Sequence, residues 1–266
     1  MTLWVRFAIG NAEGFGVLRD DLVQVYDGDM FTAPIATDTL LPLSDLRLLA
    51  PVQPGKFIGL WNNFYAAAEK QSLPIPTTPL YFLKAPSSII GPEDGFRAPA
   101  GYDGKVVYEG ELGVVIGSRC TNVSEADATA HIFGYTCVND ITAADLFFAA
   151  DPEFPGFPQW ARAKGCDGFG PLGPVIATGI DPMMASVKVS LNGRERQNYP
   201  LADMILPPAR IVSLLSREMS LLPGDVIACG TSVGALPMRP GMVVEVAIEG
   251  IGHLRNHYLT VDAQAS

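Results

Sequence analysis

The sequence is short of cysteine, histidine and positive charge, and it has no long apolar run. Its four cysteines, Cys120, Cys137, Cys166 and Cys229, form no C-x-x-C pair, and no histidine stands close enough to complete a zinc pattern. They read as free thiols of a reducing compartment, not as a disulfide framework. Eighteen Lys and Arg against 28 Asp and Glu leave a formal charge of −10. That balance removes nucleic acid and anionic membranes from the expected partners, because both are bound through clustered basic surface. No stretch approaches the ~20 apolar residues needed to span a bilayer. The opening MTLWVRFAIGNAEGFG has no apolar run long enough for a signal peptide. A soluble cytoplasmic protein is the expectation.

Charged residues make up only 17% of the chain and hydrophobic ones 48%, which excludes disorder. A chain of 266 residues buries enough surface to need no metal or disulfide staple. Its 27 Gly and 22 Pro follow no period, so they point to many turns and short strands. Residues 1–50 alternate short apolar runs with Gly or Asp turns, the pattern of a small antiparallel β module. The Pro/Gly joint at 50–56 then marks a boundary, with residues 51–266 forming the larger domain. NNFYAAAEKQS predicts a helix capped by Asn62 or Asn63, with Tyr65 and Glu69 one turn apart on one face. TAADLFFAA predicts a second short helix with Thr142 as its cap, and PPARIVSLLSREM a third opening on Pro.

The strongest chemical signal is KVVYEGELGVVIG at 105–117. As a strand it puts apolar residues at even positions and both Glu109 and Glu111 at odd ones, so two carboxylates point the same way. A hard divalent cation relieves their repulsion, and Gly110 and Gly113 leave room for a ligand. The competing reading is a solvated strand face with two ordinary surface acids. Asp140, at a strand end before a helix, is a natural third oxygen ligand, and all-oxygen ligation favours Mg²⁺, Mn²⁺ or Ca²⁺ over zinc. Residues 151–174 are too rich in Pro and Gly for regular structure, and a segment of this length suggests a site-building loop. Lys164 lies within it, near Gln159, Trp160 and Arg162. It reads either as a surface charge or as a cation for a carboxylate or carbonyl.

Two motif matches fail on context. GFGPLG at 168–173 fits G-x-G-x-x-G, but Pro171 and Pro174 forbid the helix that would hold a pyrophosphate. GTSVG at 230–234 fits the G-x-S-x-G of serine hydrolases, yet ALPMRPG cannot supply the helix of a nucleophile elbow, so Ser232 is set aside as a nucleophile. His253 and His257 share a strand face without an acid motif nearby, so they read as packing residues. Trp61, Phe64, Tyr65 and Phe147 are aromatics that can line a pocket or fill a core.

YEGELGVVIG, GYTCVNDITAAD, QWARAKGCDGFGPLGP, LNGRERQNYPLADMI, LLPGDVIACGTSVG and VEVAIEGIGHLRN, in this order across about 56–258, together resemble the fumarylacetoacetate hydrolase family. The resemblance implies a β-rich α+β fold, a mixed β-sandwich roll with a small N-terminal β module, usually as a homodimer with one Mg²⁺ or Mn²⁺ per subunit. It implies a metal on Glu109, Glu111 and Asp140, with Lys164 and Gln159 against substrate oxygens and Thr231 beside a substrate carboxylate. The implied substrates are small anionic 2-oxo acids and 1,3-diketones, which members hydrolyse, decarboxylate or isomerise. Hydrolytic members carry H-x-x-E on a mobile helix near residue 65, and here Tyr65 and Ala68 take those places, with Glu69 one residue further on. Ala144 also stands where the family has Arg in T-A-R-D.

Three readings follow. The first is a metal-dependent hydrolase cleaving a C–C bond of a 1,3-dicarbonyl or acylpyruvate, with Lys164, Glu69 and Tyr65 in the machinery. The second is a decarboxylase or isomerase on the same scaffold, and the third a catalytically silent small-molecule-binding homologue.

Overall fold

A computed structural model describes residues 1–147 and 158–260. Four antiparallel strands, Thr2–Ile9, Ala12–Arg19, Leu22–Asp29 and Ala33–Pro42, build the N-terminal module through tight turns. The first of them also pairs with Gly170–Thr178, through Thr2 with Thr178 and Trp4 with Ile176. The module is thereby one wing of a twelve-stranded sheet. That sheet continues through Ile132–Asn139, Gly110–Ile116, Val226–Ala228 and Phe57–Trp61 to the edge strand Leu80–Lys84.

Five strands, centred on Ser186–Leu191 and Val243–Ile248, form the second sheet. One hydrophobic cluster joins its Val187, Val189 and Val246 to Leu112, Val114 and Ile116 of the large sheet. Val115, Val138, Leu172 and Ile176 form a separate cluster. Gly110–Ile116 is thus buried along its whole length, and the solvated-face reading of the Glu109–Glu111 segment fails for Glu111. The β-rich mixed architecture matches the expected class.

Several local expectations are revised. The segment 105–117 is two strands, Val106–Val107 and Gly110–Ile116, separated at Tyr108 and Glu109. The break arises because Asn139 Oδ1 takes the Glu109 N–H at 3.0 Å while the Glu109 carbonyl accepts from Asp140 N at 2.8 Å. Neither Asn62 nor Asn63 caps the helix Tyr65–Gln71; Phe64 occupies that position. Asn63 is buried, bridging Leu206 and Cys229 backbone groups, and Asp203 accepts the Ala66 N–H from outside the helix at 3.0 Å. Thr142 lies in a two-residue strand and turns its hydroxyl back to the Asp140 carbonyl. The following helix is described as Ala144–Phe147, its expected continuation to 150 lying outside the described residues, as does 151–157 of the Pro/Gly segment. The third expected helix stands at Pro208–Glu218 with Pro in its first turn. Among the described residues no helix is long and apolar enough to cross a membrane.

Gly110 and Gly113 are not openings for a ligand. A Cβ on Gly110 would stand 2.3 Å from Val189 Cγ2, and one on Gly113 2.7 Å from Val138 Cγ2. Their missing side chains let neighbouring valines close in.

Candidate metal centre

Strand pairing assembles the acidic group. Glu109 and Glu111 flank Gly110, and Gly110 pairs with Asn139, so the next residue, Asp140, arrives beside Glu109. One carboxylate oxygen from each of Glu109, Glu111 and Asp140 lies within 4.8 Å of the other two. Glu111 and Asp140 are buried, with 1% and 0% exposure, while Glu109 is partly open.

Two lysines close on this group from other elements. Lys164, the last residue of the helix Trp160–Lys164, places Nζ 2.5 Å from Asp140 Oδ2 and also contacts Glu109 Oε2. Lys84, at the end of the edge strand, places Nζ 2.5 Å from Asp140 Oδ1. Both are buried. Three carboxylates against two ammonium groups leave a formal −1, and Glu111 receives neither lysine. Its Oε2 accepts only the Gly230 N–H, at 2.7 Å, among the described residues. Burial, then the charges of Asp140 and Glu109, push the Glu111 carboxyl well above the ordinary carboxylate range. Burial would raise Asp140 as well, but Lys164 and Lys84 outweigh it and hold that carboxyl low. Burial opposes the charged form of Lys164, yet Asp140 and Glu109 overcome it and raise the ammonium.

Glu109 and Glu111 of the group line a cavity of about 350 Å³, within the size range of small-ligand sites. Glu109, Glu111, Lys164, Thr231 and Ser232 are among its polar lining residues. Thr231 is already satisfied, since its hydroxyl donates to the Gly110 carbonyl at 3.0 Å and accepts from Gln197 Nε2 at 3.0 Å. Buried Ser232 has no hydrogen-bond partner for its Oγ. Gly230, at φ +89°, holds this loop close; a Cβ there would stand 3.2 Å from Asn63 Cβ.

Gln159, Tyr65 and Glu69 are not among the described residues that line the cavity. Gln159 is half-buried, precedes the Lys164 helix and accepts the Ala163 N–H through its carbonyl. Tyr65 is 48% exposed, and Glu69 is exposed as well. The helix carrying them turns Ala67, Lys70 and Gln71 to the cavity instead. Of the aromatics, Trp61 and Phe147 line the cavity, and Phe64 is core. His253 and His257 are paired with Glu245 and Glu93.

Two contributors escaped the sequence reading. Lys84 in LYFLK looks like an edge-strand surface charge. Buried Gln197 accepts the Gly110 N–H at 3.2 Å and bonds the Thr231 loop. The alternation of buried Gln197 and Tyr199 with exposed neighbours in RERQNYP was its one available signal.

Comparison with known proteins decides the relationship. Residues 56–259 match the fumarylacetoacetate hydrolase C-terminal family model, and 3–51 an Rv2993c-like N-terminal model. The chain belongs to the fumarylacetoacetate hydrolase family. An uncharacterised protein of Archaeoglobus fulgidus is 42% identical over 224 residues, 84% of this chain and 86% of that protein. A 2-hydroxyhepta-2,4-diene-1,7-dioate isomerase structure from Mycobacterium marinum superposes with TM-score 0.86 at 34% identity, covering 97% of this chain and 98% of that one. A fumarylacetoacetate hydrolase structure from Exiguobacterium antarcticum gives TM-score 0.81 at 29% identity, covering 98% and 100%. Members of the fumarylacetoacetate hydrolase family are enzymes acting on small molecules, and the acidic triad here is one that can hold a divalent ion.

Proposed function

We propose that this chain is a divalent-metal-dependent hydrolase that cleaves a C–C bond of a small acylpyruvate or related 1,3-dicarbonyl acid. The observation that carries this reading is the Glu109–Glu111–Asp140 triad, whose two glutamates line a cavity that Lys164 also lines. The donor set fits a hard ion, being three carboxylate oxygens within 4.8 Å with Glu111 lacking an ammonium partner. Mg²⁺ or Mn²⁺ held by these three residues would supply Lewis-acid polarisation of the substrate's neighbouring keto and carboxylate oxygens.

The protein's own groups account for binding and charge stabilisation. Lys164 brings a fixed positive charge to the place where an enolate oxygen develops, with its ring-facing side over Phe82 at 5.1 Å. Thr231 and Gln197 fix the loop that lines the cavity beside Lys164. In the overall reaction, water adds its oxygen to the acyl carbon, the bond from that carbon to the central methylene breaks, and the methylene takes a proton. The products are a carboxylate, pyruvate and one proton.

A second reading is favoured by one observation: among the described lining residues there is no histidine, and Tyr65 and Glu69 face away. Decarboxylation or isomerisation of a 2-oxo acid needs no hydrolytic water and uses the same triad and Lys164. Incubation of the Mg²⁺-loaded protein with acetylpyruvate and with oxaloacetate separates the two. Pyruvate plus acetate from the first substrate supports hydrolysis. CO₂ from oxaloacetate without acetylpyruvate cleavage transfers the assignment to the second reading, and turnover of neither overturns both.

A further inference from the structure

One wall of the cavity is aromatic. The Trp160 ring stands 3.9 Å from that of Phe147 at 84°, and 5.9 Å from that of Trp61 at 69°, while its other contact is a stacked Phe82 at 5.3 Å. Trp61, Phe147 and Trp160 all line the cavity. Trp160 and Lys164 are the two ends of one short helix, four residues apart and so on one face, roughly 6 Å apart along its axis. One element therefore sets both the cationic head site and the aromatic wall.

Among the described residues that line the cavity, Lys164 and Lys70 are the cations, and Lys164 is committed to Glu109 and Asp140. Lys70 is exposed at the last turn of its helix. A second carboxylate at the tail of a substrate would lose its hydration against indole and phenyl rings with no buried cation to replace it. An apolar tail would gain the burial.

Resting on the 2-oxo acid reading above, we propose that the cavity prefers monocarboxylic 2-oxo acids with an aryl or bulky alkyl tail to dicarboxylic ones. This separates the chain from a relative whose name specifies a dioate. Binding tests it independently of turnover: the Mg²⁺-loaded protein is titrated with phenylpyruvate, pyruvate and 2-oxoglutarate, reading calorimetric heat and the quenching of tryptophan fluorescence. Phenylpyruvate is expected to bind about tenfold or more tighter than either of the others. Trp61→Ala should shrink that advantage severalfold. Ala144→Arg, which puts a guanidinium three residues before Phe147 on the same helix face, should tighten 2-oxoglutarate binding by about tenfold. Equal or tighter binding of 2-oxoglutarate to the unaltered protein overturns the selectivity while leaving the 2-oxo acid reading intact. Binding of none of the three overturns both.

Discussion

Lys84 Nζ and Asp140 Oδ1 meet at 2.5 Å with both side chains shut away from solvent, an ion pair between residues 56 positions apart. Removing one partner of such a buried pair costs about 3–5 kcal/mol because a charge is left uncompensated. Lys84→Met should therefore lower metal-free stability by that order. The same change makes the cluster more negative, so added Mg²⁺ should raise the melting temperature more in the variant than in the unaltered protein. Calorimetry with and without Mg²⁺ checks this, and an equal or smaller Mg²⁺ shift in the variant contradicts it.

Glu109→Gln and Glu111→Gln keep side-chain volume and remove one anionic ligand each. Loss of groups that merely orient a metal's ligands costs 10- to 100-fold in affinity. Loss of a ligand itself should cost about 100-fold or more in either variant, measured by titration of Mg²⁺ or Mn²⁺. Unchanged affinity in both would remove the triad as the metal centre.

The helix Tyr65–Gln71 presents Ala67 and Lys70, not Tyr65 and Glu69, to the cavity. Glu69→Gln and Tyr65→Phe should accordingly change kcat by less than about tenfold, against the 10²- to 10⁴-fold expected of a general base. A loss within that larger range would mean that the helix turns over the cavity during turnover.

Gly110 lies where the two sheets touch, with Val189 Cγ2 2.3 Å from the position of a Cβ. Gly110→Ala should cost about 1–3 kcal/mol by overpacking. In a Val189→Ala background the cost should fall, giving a positive coupling in a double-mutant cycle. Additive effects, measured by chemical denaturation, would place the strain elsewhere.

What was legible in the sequence had local causes. The acid pair at 109 and 111 and the apolar residues alternating with it are a two-residue period, and Pro208 at a helix start is a matter of missing N–H groups. Asp140 could be placed because it follows a strand directly. Lys84 could not, since the residue that makes it an interior cation is Asp140, brought to it by sheet order. Asn63 misled for a related reason. Its side chain is a good helix cap, but Leu206 and Cys229, more than 140 positions away, offer it backbone partners in the interior. Glu69 shares the Tyr65 face as expected, yet periodicity fixes which residues share a face and not what that face meets.

The pairing of Thr2–Ile9 with Gly170–Thr178 also bears on how the chain is made. The module leaves the ribosome as a four-stranded sheet whose first strand is covered on its outer edge at Phe7 and Ala8, by Arg47–Leu48, and bare from Thr2 to Trp4. That edge stays open until a segment some 170 residues later is synthesised. Nascent chains halted before residue 170 would thus be the aggregation-prone species, and a gene fragment ending near residue 50 would inherit that sticky edge permanently.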